Sequence, residues 1–72
     1  METADIVRMT NQIAGFFKGY GQEEAIKEIA NHINSFWDPR MRTHFFKYIA
    51  SGGAGLDPLI ISAAEKIRKP AA

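Results

Sequence analysis

The sequence predicts an all-α fold, a compact small bundle of about four short helices in a single domain over residues 1–72. Three observations lead there. Apolar residues recur at steps of three and four, two Asp-Pro dipeptides stand where helices begin, and no segment of strand length alternates apolar with polar. Cysteine is absent, so neither disulfides nor thiolate metal sites support the chain. In chains below roughly 70–80 residues a single core seldom supplies more than about 3–5 kcal/mol. A partner or a metal is left as the external support.

Each element has its own signals. In the first helix Ile6, Met9, Ile13, Phe16, Phe17 and Tyr20 form the apolar stripe, with Thr3 as expected N-cap and Gly19 and Gly21 bracketing the stop. The second helix repeats the period with Ile26, Ile29, Ala30, Ile33, Phe36 and Trp37. Glu23 and Glu24 favour its positive end, and Glu23 stands in the favourable i,i+4 order with Lys27. Asp38 and Asp57 are read as N-caps, each followed by proline at the first helical position, where a missing N–H costs nothing. The third helix is expected from about Pro39 to Ser51, its stripe Met41, Phe45, Tyr48 and Ile49, ended by Gly52 and Gly53. The fourth is expected from about Pro58 to Lys69, stopped by Pro70 and packing through Leu59, Ile60, Ala63, Ala64 and Ile67.

Catalytic chemistry finds little purchase. His32 and His44 lie on different helices with no metal-ligand spacing, and His32 falls on a mostly polar arc. Ser35, Ser51 and Ser62 occupy no nucleophile elbow. Asp38 and Asp57 are explained more economically as caps than as an acid–base pair. Gly52, Gly53 and Gly55 lack the Lys-Ser/Thr of a phosphate loop and a preceding strand. They read first as a helix stop with a tight reversal, a reading compatible with the sharper one that a partner's backbone approaches closely there. The chain is read as no enzyme, with no catalytic, cofactor or metal residue of its own.

Charge and hydropathy narrow the partners. Nine basic and eight acidic residues leave a net charge of +1, without the basic excess of nucleic-acid binders. No apolar run approaches the roughly 20 residues that span a membrane, and the acidic Met1–Asp5 start lacks a signal's apolar core. The cytoplasm is the expected address. Hydrophobic residues make up 46% of the chain, with five Phe, two Tyr and one Trp, more than four short helices readily hide. The surplus predicts an exposed apolar patch for protein contact. Arg40, His44 and Lys47 share one face of the third helix, with Arg42 pointing elsewhere. Together with Phe36, Trp37 and Met41 they form a segment of the kind enriched at interface hot spots, or a solvated basic face beside a core tryptophan.

Three blocks then resemble a known family. They are Asn11 to Phe17 (NQIAGFF); Ile29 to Ile33 (IANHI) leading into Phe36 to Arg42 (FWDPRMR); and Gly52 to Leu59 (GGAGLDPL). Together they resemble the delta subunit family of NAD-dependent formate dehydrogenase, although Phe45 and Phe46 stand where members more often carry leucine-like residues. The resemblance implies a non-catalytic accessory subunit of a cytoplasmic molybdenum- or tungsten-dependent oxidoreductase complex. Its partners would be the catalytic alpha subunit and, through it, the beta and gamma subunits. Alpha would hold bis-molybdopterin guanine dinucleotide and iron–sulfur clusters, and beta the flavin (FMN) and the NAD site.

The expected role is to bind alpha and support assembly or stability, with Phe36, Trp37, Arg40, Met41, Arg42, His44, Lys47, Gly52, Gly53 and Gly55 as expected contacts. A transient cofactor-insertion chaperone for the same enzyme is the neighbouring alternative. A helix-turn-helix nucleic-acid binder is the alternative of another class, disfavoured by the charge balance and the Asp-Pro turn.

Overall fold

The computed structural model describes residues 2–70, and among these it contains four α-helices and no strand. They are α1 (Thr3–Phe17), α2 (Gln22–Phe36), α3 (Pro39–Ala50) and α4 (Pro58–Ala63). Short 3₁₀ turns follow α1 (Lys18–Tyr20) and α4 (Ala64–Lys66). The Cα radius of gyration, 11.1 Å, is that of a folded chain of this length, about 11 Å.

Both Asp-Pro starts are built as expected. The Asp38 carboxylate accepts from the Met41 N–H at 2.9 Å and that of Asp57 from the Leu59 N–H at 2.9 Å, each with proline in the first turn. Helix α1 departs from expectation. Thr3 is its first helical residue and Glu2 the cap, whose carbonyl takes the Asp5 and Ile6 N–H groups without side-chain help. Its stop uses Gly21, at φ 91°, while Gly19 sits inside the 3₁₀ turn. The Glu23–Lys27 pair does not form: both side chains are exposed, where water competes with so weak an attraction.

Helix α4 is shorter than expected, ending at Ala63 and passing into the 3₁₀ turn Ala64–Lys66 before Pro70 is reached. In a continued helix the Lys66 carbonyl would accept from the nitrogen of residue 70, which in proline carries no hydrogen. The Asn34 amide takes over instead, donating to the Lys66 carbonyl at 3.1 Å and accepting from the Arg68 N–H at 2.8 Å. Ile67 is thereby extended and turned into the core, 4% exposed.

The second irregular stretch, between α3 and α4, is held the same way. Asn11 of α1 donates to the Gly55 carbonyl and accepts from the Asp57 N–H, both at 2.8 Å. Lys18 adds an ion pair to Asp57 at 2.7 Å. Gly53, at φ 65°, is buried against Ile61, whose Cδ1 would lie 3.2 Å from an added Cβ.

Helix α2 is the central element, packed against both α1 and α4. It buries Ala25 and brings Ile29, Ala30 and Ile33 into one cluster with Ile6, Ala14, Phe45, Ile60 and Ala63, the last five fully buried. Thr10 is the one buried polar side chain among the described residues; its hydroxyl donates to the Ile6 carbonyl at 2.8 Å.

Two outcomes follow. Phe45→Ala costs about 3–5 kcal/mol, comparable with everything a core this small supplies. Far-UV circular dichroism at room temperature should show that variant largely unfolded; a cooperative melt near the wild-type temperature would contradict the packing. The second concerns acid. The Lys18 ammonium and the Leu59 N–H hold the Asp57 carboxyl below the usual carboxylate range. A lowered folded-state pKa contributes stability that is present above the unfolded value and lost as pH falls through the folded one. Urea midpoints should therefore drop below about pH 4. Asp57→Asn should flatten that acid limb, and an equally steep limb in the variant refutes the assignment.

Candidate functional site

Adjacent residues on a helix point about 100° apart, so an aromatic doublet cannot send both rings into one core. The Phe16-Phe17 pair ends α1, and the Phe36-Trp37 pair ends α2. In each pair one ring turns inward and the other stays in solvent. Phe16 is 72% exposed and Phe36 75% exposed, while Phe17 is half-buried and Trp37 is buried.

The outward and half-buried rings border a groove of about 540 Å³ between the two helices. Met9, Gln12, Ile13, Phe16 and Phe17 form its α1 wall, His32 and Phe36 its α2 wall, and Trp37 contributes an edge beneath. One ring pair, Phe17–His32, spans it. Phe17 meets Phe16 edge-on at 5.0 Å and Tyr20 at 5.6 Å between centroids, and His32 lies 6.5 Å from Phe17 and 4.8 Å from Phe36. His32 thus sits in an aromatic arc, where a polar one was expected. The predicted surplus of apolar surface is present, and this is where it gathers.

The expected contact residues divide into groups. Arg40, Met41, His44 and Lys47 line one shallow depression of about 440 Å³ at the start of α3, together with Asp38 and Thr43. The shared face read from their spacing is real. Trp37 and Arg42 do not join it as exposed side chains. Trp37 packs edge-to-face on Phe45 at 6.2 Å and is 5% exposed. Arg42 clamps the chain's own backbone, donating to the Arg68 carbonyl at 2.7 Å and reaching the Trp37 carbonyl at 3.4 Å.

Among the glycines, Gly52 and Gly55 are exposed and Gly53 is buried, and the positive φ of all three accounts for them as a reversal. Asp38 and Asp57 are the caps already described. Met9, Gln12, Ile13, Phe16, Phe17 and His32 lie outside the contacts expected from the sequence. The signal for them was the doublets themselves, since a stripe with two adjacent large rings exceeds one helix face.

Among the described residues no three His, Cys, Asp or Glu side chains gather as a metal site, and no helix is long and apolar enough to cross a membrane. What the arrangement offers chemically is apolar and aromatic surface beside a basic helix.

A family model described as NADH-dependant formate dehydrogenase delta subunit FdsD matches residues 5–64. The matched span contains all three blocks on which the resemblance rested. No curated protein and no solved structure matches the chain.

The single tryptophan reports directly on this division. Trp37 should emit as a buried indole and resist iodide quenching until the chain is denatured. Ready quenching in the folded state would move it out of the core and back among the exposed residues.

Proposed function

This chain belongs to the NADH-dependent formate dehydrogenase delta subunit family, and from that premise we propose that it is a non-catalytic accessory subunit that docks on the catalytic alpha subunit and stabilises the assembled enzyme. In this reading the cofactors and the electron path lie on the other subunits, and the complex works in the cytoplasm. A chain without cysteine has no thiolates with which to ligate an iron–sulfur cluster.

The observation that carries the proposal is the α1–α2 groove, with Phe16 and Phe36 more than two-thirds exposed on its two sides. A small chain that leaves two phenylalanines in water loses the burial energy they would supply in a core. A partner surface over the groove recovers it, at roughly 25 cal/mol for each Å² of apolar area removed from water. Because the partner binds the folded form alone, docking also stabilises the subunit, by about 2.7 kcal/mol when partner concentration is a hundredfold above Kd.

The groove replaces Trp37 as the centre of the docking surface. Trp37 shapes the floor, and its truncation would damage the subunit's own core.

Phe16→Ser/Phe36→Ser should leave the subunit folded, with a melting temperature at or above the wild type's. Co-purification with formate dehydrogenase should fall steeply, each anchor being worth about 2 kcal/mol. Retention equal to wild type would remove the groove from the docking surface. The same purification separates the two roles: stoichiometric retention in mature, active enzyme supports a subunit. Retention only in cofactor-free enzyme supports an assembly chaperone.

A further inference from the structure

Charge on this chain is divided by element. Residues 39–50 and 66–70 hold Arg40, Arg42, Lys47, Lys66, Arg68 and Lys69 with no Asp or Glu, and all eight acidic residues lie elsewhere. The two segments are neighbours in space. Arg42 bonds the Arg68 backbone, and the Lys69 ammonium sits 5.6 Å over the Phe46 ring. A net charge of +1 therefore conceals a basic face along α3 and the 66–70 run.

Among the described residues that face holds no ion pair of its own; those present, Arg8–Asp5 and Lys18–Asp57, lie outside it. Asp38 lines the same depression as Arg40 and Lys47 and sets one negative charge at its edge, with Oδ1 accepting from the Met41 N–H, so the depression stays net positive. A second depression beside it, of about 630 Å³, is bounded by Phe46, Ile49, Lys47, Lys69 and Pro70. Apolar floor with basic rims is the pattern of a protein contact; a nucleic-acid surface carries a more continuous positive stripe and a basic excess for the whole chain.

We propose that α3 and the 66–70 run form a second docking face, which receives an acidic segment of the formate dehydrogenase partner with apolar side chains set between its carboxylates. The proposal rests on the docking reading above. It assigns the two faces different work. The aromatic groove supplies the buried apolar area, and the basic face steers encounter and sets the register, as complementary charge does at interfaces.

The test measures binding of the full chain to formate dehydrogenase purified without it, at low ionic strength and at about 1 M salt, where the Debye length is about 3 Å. Arg40→Glu/Lys47→Glu should weaken binding about tenfold or more at low salt and approach wild type at high salt. Arg40→Gln/Lys47→Gln should fall between. Lys27→Glu, on a surface outside the face, should bind as wild type, and thermal melting verifies that every variant is folded.

Wild-type affinity in the Arg40/Lys47 variants overturns the proposal and leaves the groove standing. An equal loss in Lys27→Glu also overturns it, by reducing the effect to overall charge. If wild-type chain fails to bind the enzyme at all, the docking reading itself is wrong and this proposal falls with it. Tighter binding to a short DNA duplex than to the enzyme, abolished by Arg40→Glu/Lys47→Glu, reassigns the face to nucleic acid.

Discussion

The rotation of about 100° between neighbouring residues of an α-helix governs how this small chain divides its aromatic side chains. Phe16-Phe17, Phe36-Trp37 and Phe45-Phe46 are each adjacent pairs on or at the end of a helix. Trp37 and Phe45 go inward, where they meet edge-to-face and join the isoleucines of α1, α2 and α4. Their neighbours are thereby held outward or at the boundary. Phe36 and Phe16 stand on the two sides of the groove, and Phe46 lies under Lys69. The same geometric limit that fills the core creates the candidate docking surface.

Helices account for most of the backbone hydrogen bonding, and two asparagines tie down much of what is left. Asn11 and Asn34 each use both ends of the side-chain amide, one against the 55–57 loop and the other against residues 66–68. Each substitutes for a helical or sheet partner that the local chain does not have. Among the described residues no buried side-chain nitrogen or oxygen lacks a partner. The clamps also have a consequence for function. By fixing the 66–68 run against α2 and α3, Asn34 and Arg42 bring the charges of the C-terminal segment beside those of α3.

The two candidate docking surfaces differ in chemistry. One offers aromatic area with a histidine and a glutamine at its margin, and the other offers basic side chains around a shallow apolar floor. The Phe36 to Arg42 segment, conspicuous as a motif, connects them, contributing Phe36 to the first and Arg40 and Met41 to the second. Its two most hot-spot-like residues, Trp37 and Arg42, serve mainly the fold. Composition and spacing alone do not separate these roles, because a tryptophan in the core and one at an interface have the same local sequence signature.

Taken by itself, the sequence determined the features whose causes are local. Helical period, the Asp38 and Asp57 caps with their prolines, the glycine-rich reversal and the absence of thiols depend on residues within a few positions of one another. The family motifs, being linear, were legible for the same reason, and the match over residues 5–64 agrees with them. Tertiary structure decided what depends on distant neighbours. It decided which ring of each doublet is buried, that α4 yields to the Asn34 clamp and that Arg42 turns to the Arg68 carbonyl. It also set His32 among aromatic rings. Those outcomes are settled by competition for one small core and for a few backbone partners, and such a competition exists only once the helices have been brought together.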